Sequence, residues 1–179
     1  LASRGRAFLE QARSDLKAFD RSGSGFDVAD HHRLLFLQMA LEKLCKSFLY
    51  AGLPDGQFSH NVVGTAVRVM RQQDVARAMG IDTKTLSRRL MAAQPVWMRV
   101  AAASPSIASD GRTLDRRQSE RSQNVEYPWH ADPDDPLSWT APASQRFDLV
   151  RELRFERSAV AAIVLMERLA DAADKVLPR

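Results

Sequence analysis

The chain is expected to fold as an all-α protein, and three observations carry that expectation. Apolar residues recur at three- and four-residue steps along most of its 179 residues. No segment sustains the two-residue alternation of a half-buried strand. Gly, Pro, Ser and Asp stand where successive helices would start and stop.

The first helix is expected from Arg6 to Phe19, with Phe8, Leu9, Ala12, Leu16 and Phe19 on one face. The string RSGSG, Arg21 to Gly25, reads as a break rich in turn residues. Asp27 or Asp30 would cap a second helix by accepting a free amide hydrogen bond. Along that helix Leu34, Leu37, Leu41, Leu44, Cys45 and Phe48 form the buried face, while Arg33, Lys43 and Lys46 project elsewhere. Gly52 and Pro54 end it. Ser59 is a good N-cap for a third helix, Asn61 to Arg71, with Val62, Val63, Ala66, Val67 and Met70 inward. A short helix from Asp74 to Met79 stops at Gly80. Asp82 or Thr83 caps the next, from Lys84 to about Ala103, and Pro95 inside it is expected to kink or split it. Six of the eight prolines lie between Pro95 and Pro142, so about 104–143 reads as a long irregular connection. The last helix is expected to run unbroken from Ser144 to Val176, buried through Phe147, Val150, Leu153, Val160, Ile163, Val164 and Leu169.

Composition narrows the function classes. The length suits a single domain covering the whole chain, large enough to bury a core without disulfides. The single Cys45 excludes an internal disulfide or a multi-Cys zinc site and suits a reducing cytoplasm. No apolar run approaches a membrane span. Residues 1–20 do not read as a signal peptide, and Leu1 in place of Met suggests that the true start lies upstream. The net charge of +4 permits a nucleic-acid partner. Only five of the 26 basic residues are lysines, though, and the cations are spread among 22 acids, which describes an ordinary solvated surface. No cofactor is implied. No second histidine or acid cluster stands at ligand spacing, so no metal site is expected.

Two segments carry motif-like order. DVARAMGIDTKTLSRRL (74–90) resembles the helix-turn-helix of repressor-type DNA-binding domains. Ala76 allows a close crossing, Gly80 a left-handed turn, and Val75, Met79, Ile81 and Leu86 a small core. Lys84, Thr85, Ser87, Arg88 and Arg89 would then face the major groove. The same features serve a plain helix–Gly–helix connection inside a bundle. The mid-chain position favours that structural reading, which leaves DNA the less favoured partner.

HHRLLFLQMALEKLCKSFLYAG (31–52) followed by SHNVV (59–63) resembles the central helix pair of the HEPN superfamily, small α-helical domains that serve as RNases, RNA-binding modules and nucleotidyltransferase partners in bacterial toxin–antitoxin and defence loci. The string NVEYPW (124–129), followed by Pro142 and Phe147, is similar to one that precedes the last helix in a subset of these proteins. The resemblance implies a HEPN-like antiparallel helical bundle and either a homodimer or pairing with a nucleotidyltransferase-like partner, through the second and terminal helices. It also implies RNA or nucleotide in a cleft lined by Lys43, Lys46, Arg121 and the Tyr127–Trp129 segment. Asn124, Glu126, Tyr127, Trp129 and His130, with Arg116, Arg117 and Arg121, would form a stacking and phosphate-binding platform. Packing of Tyr127 and Trp129 as a clamp over the bundle is the rival reading. His60 matches a helix-start histidine that looks architectural.

Catalytic members of that superfamily carry an arginine four to six residues before a histidine, and no such pair exists here. The expectation is a binding or regulatory protein with no catalytic residues. Two alternatives stand beside it: a DNA-binding regulator using residues 74–90, and a ribonuclease with a rearranged site using His60 or His130 with Arg121.

Overall fold

The computed structural model describes residues 3–23, 29–53, 55–58, 62–104, 125–126, 129–130, 138–142 and 147–178. Among these it is an all-α bundle: α1 Arg4–Gly23, α2 Asp30–Gly52, α3 Val63–Met70, α4 Gln73–Ala78, α5 Thr83–Ala101, α6 Asp148–Phe155 and α7 Arg157–Val176. No helix is long and apolar enough to cross a membrane. Within the stretch expected to be irregular, a two-residue strand β1 Trp129–His130 pairs antiparallel with β2 Trp139–Thr140, Trp129 opposite Thr140.

Helix α2 is the axis of the bundle, packed against α1, α3, α5, α6 and α7. Its expected face is buried in full, from Leu34 to Phe48, and Val62, Val63, Ala66, Val67 and Met70 of the α3 region meet the same core. Helices α1 and α2 run antiparallel and very close. A Cβ on Gly5 would stand 2.8 Å from the Ser47 carbonyl oxygen, so the crossing needs a residue without a side chain.

Several expectations are corrected. Helix α1 continues through Arg21, Ser22 and Gly23, where a break was expected. Ser22 is buried and donates its hydroxyl to the Phe19 carbonyl (2.6 Å), so a turn-favouring residue is held inside the helix. Ala29, not an aspartate, occupies the N-cap position of α2, and Asp30 lies in its first turn. Asp27, Ser59 and Asn61 lie outside the described residues. Asp82 does cap α5, accepting from the Thr85 amide (2.8 Å) and the Thr85 hydroxyl (2.7 Å). Gly80 takes φ +68°, as the expected turn requires.

Pro95 does not split α5. It sits on the exposed side, where water can satisfy the carbonyl whose amide partner is missing. The terminal helix, conversely, is broken at Glu156 (φ −83°, ψ 124°) into α6 and α7. The break re-phases the buried face. Leu153 and Ala159, six residues apart, would stand about 120° apart around one continuous helix, yet both are buried. Val160 and Val164, expected inward, are 40% and 39% exposed, and Ala159, Ala162, Leu165 and Met166 take the core positions instead.

Candidate functional site

Helix α2 carries two of the predicted cations, Lys43 and Lys46, and the bundle has already engaged both. Glu42 is buried, and its carboxylate receives Lys46 Nζ at 2.7 Å and Lys43 Nζ at 3.6 Å. Lys46 Nζ also lies 5.8 Å from the Phe8 ring centroid, over its face. Across the helix pair, buried Asp15 accepts from the Gln11 amide at 2.9 Å. Burial pushes its carboxyl above the ordinary aspartate range, against the opposing pull of Gln11 and Lys43. The two lysines therefore belong to the α1–α2 seam. Neighbouring Cys45 is wholly buried and its thiol is pushed up by burial and by Glu42, so it is no nucleophile in the folded protein.

At the other end of α2 the expectation that Arg33 projects outward fails: it is 5% exposed. Its phase explains this, because Arg33 lies four residues before Leu37 on the face that buries Leu41 and Leu44. The guanidinium carbon stands 5.6 Å from the Phe19 ring centroid. His31 is buried beside it and His32 exposed. Their rings approach to 3.9 Å between centroids. Burial and then His32 lower the His31 pKa, with Asp30 opposing. Among the described residues no three His, Cys, Asp or Glu side chains group as metal ligands.

The outer face between α5 and α7 is a groove of about 310 Å³. Its walls are small and apolar, Ala92, Ala93, Ala161, Ala162, Val164 and Leu165, and Arg89 and Arg168 stand at its rim. Trp97, at the base of α5, is fully buried and donates its indole N–H to the Ala162 carbonyl (3.1 Å), which fixes the spacing of the two helices. Farther along, Arg99 and Glu152 form a two-pronged pair, Nη2–Oε1 2.9 Å, which lowers the glutamate's pKa and raises the arginine's.

Of the helix-turn-helix candidates, Lys84, Arg88 and Arg89 are exposed, and Thr85 and Ser87 are half-buried. The short α4 packs chiefly on α7 rather than on α5. Of the NVEYPW segment, Val125 is buried with its amide on the Ala103 carbonyl (3.1 Å), and Glu126 is exposed. Trp129 and His130 are described as β1 backbone alone. His60, Arg116, Arg117, Arg121, Asn124 and Tyr127 lie outside the described residues. The groove and the exposed valines of α7 were not anticipated. The signal for them was an α7 whose apolar residues outnumber the positions on one buried face.

Comparison with known protein families, with curated proteins and with solved structures gave no match for this chain.

Proposed function

We propose that this chain is a HEPN-like binding protein without the RNase pair, of the bacterial defence or toxin–antitoxin type, which works as a homodimer and acts through the RNA, nucleotide or nucleotidyltransferase-type protein it holds. The observation that carries the dimer is the exposure of Val160 and Val164 beside the apolar α5–α7 groove. Apolar ridge and apolar groove side by side are self-complementary under a two-fold axis. Two α7 helices crossing antiparallel at Val164 set Arg157 of one copy against Asp171 of the other. That arrangement matches charge as well as shape. Helix α2, buried on most of its circumference, offers a partner much less.

Light scattering during size exclusion tests the dimer. Wild-type chain is expected at twice 20.1 kDa, and Val164→Glu at 20.1 kDa with unchanged helicity. Wild type running as a monomer at about 100 µM, far above the dissociation constants of stable interfaces, overturns it.

A second reading rests on the exposure of Lys84, Arg88 and Arg89 at the start of α5: duplex DNA recognition. It requires salt-dependent retention on duplex DNA that is lost in the Arg88→Ala, Arg89→Ala double variant. The packing of α4 on α7 favours the connector role for 74–90 instead.

A further inference from the structure

The groove between α5 and α7 has a direction, because its two cations share one end. The helices run antiparallel: Trp97 of α5 reaches the Ala162 carbonyl of α7, and farther along α5 Arg99 meets Glu152, which precedes α7. Away from the Trp97 level, in the opposite sense, Arg89 stands about 12 Å along α5 and Arg168 about 9 Å along α7. Both line the groove, and both are exposed. Among the described residues neither makes a hydrogen bond or an ion pair. From these two arginines the walls are alanine, valine and leucine as far as Ser158, about 15 Å from Arg168 along α7. Positive charge at one end and hydrocarbon along the rest complement an anionic amphiphile. The volume of about 310 Å³ lies at the small end of ligand sites, and a helix about 10 Å across does not enter it. A nucleobase suits it poorly, because between the arginines and Ser158 no polar side chain would satisfy the base edges. An alkyl chain needs only apolar contact.

We infer that the α5–α7 groove binds a medium-chain fatty acid, its carboxylate held between Arg89 and Arg168 and its alkyl chain lying along the alanine walls toward Ser158. A carboxylate has acceptor sites enough for two guanidinium groups, one from each wall. Each methylene taken from water adds to the affinity, so binding rises with chain length until the groove is full. The fatty acid and a second copy of the chain compete for this place, because Val164 belongs both to the groove wall and to the ridge of the dimer contact. Binding is therefore expected to dissociate the dimer. That consequence alone rests on the homodimer reading, and the site itself does not, since its residues all belong to one copy.

Calorimetric titration of the full chain with decanoate, decanol and acetate tests the site. Decanoate is expected to bind, decanol to bind roughly tenfold more weakly for want of the charge, and acetate not to bind. The double variant Arg89→Gln, Arg168→Gln changes two exposed residues and is expected to lower decanoate affinity to that of decanol. Ala161→Phe, at an exposed position of the wall, fills the groove and is expected to abolish binding of both with helicity unchanged. Val160 belongs to the ridge and not to the groove wall, so Val160→Glu is expected to be a monomer that still binds decanoate. A monomeric wild type that binds decanoate would refute the dimer and support the site. A dimeric wild type that gives no heat with decanoate would leave the dimer standing and overturn the site. Equal affinity for decanoate and decanol, or undiminished decanoate binding in the double arginine variant, overturns it as well.

Discussion

At the scale of single residues, the sequence ranks side chains by type, and the bundle re-ranks them by phase. Lys43 and Lys46 were expected to line an RNA or nucleotide cleft because the resemblance to HEPN proteins implies one. Both are drawn onto Glu42, because a buried carboxylate needs a counter-charge. Arg33 is the reverse case, a cation carried inward by its place on the Leu37 and Leu41 face. Asp15 shows what such placement does to stability. Burial raises its pKa in the fold above the unfolded value of 3.8, so the folded chain holds the proton more tightly. Its contribution is therefore fully present below about pH 3.8 and is lost as pH rises through the folded pKa. Asp15→Asn is expected to stabilise the protein at pH 7 and to flatten the fall in stability as pH rises above about 3.8. Urea unfolding of both chains across that range checks it, and parallel pH profiles for the two would contradict it.

At the scale of elements, periodicity located the helices but merged the last two, mis-phased α7 and misplaced several ends. The face of α2 and the face of α3 were legible because each apolar position repeats at three or four residues and each is in fact buried. Gly80 and Asp82 were legible because a left-handed turn and an amide cap ask for particular chemistry. The break at Glu156 carries no Gly or Pro. It arises because two buried faces, Val150 with Leu153 and Ala159 with Ala162, are out of phase, and only the shape of the core reveals that. Gly5 is similar: inside a helix it reads as a defect, yet it lets α1 reach the α2 backbone. Gly5→Ala gains helix propensity but drives a methyl into the Ser47 carbonyl, and the expected net cost is about 1–3 kcal/mol. Denaturant melts that showed a more stable Gly5→Ala chain would refute the close crossing.

At the scale of the whole molecule, the two ends of the described chain are tied together. Arg6 donates to the carbonyls of Pro178 (2.9 Å), Asp174 (3.1 Å) and Leu177 (3.2 Å), and pairs with the Asp174 carboxylate. One guanidinium thus satisfies the last carbonyls of α7 and complements the negative end of its dipole. Arg6→Ala is expected to cost about 1–2 kcal/mol and to speed amide exchange in the last turn of α7 before anything else. Exchange that quickens evenly over the bundle, with no preference for that turn, would show that the clasp is not local. The proposed two-fold contact at Val160 and Val164 lies on the same helix, about three turns or more before this clasp. The dimer and the clasp can accordingly be perturbed independently.

The sequence by itself determined the all-α class, the buried faces of α1, α2 and α3, the turn at Gly80 and the cap at Asp82. All are local: each follows from spacing along one helix or from the chemistry of one turn. Only the tertiary structure decided that Lys46 is spent on Glu42, that Arg33 is buried with free donors, that the terminal helix breaks, and that Val160 and Val164 stand outside. Those depend on which neighbour occupies each side of a helix. An amphipathic pattern states how wide the apolar stripe is, and packing decides which part of that stripe other helices cover.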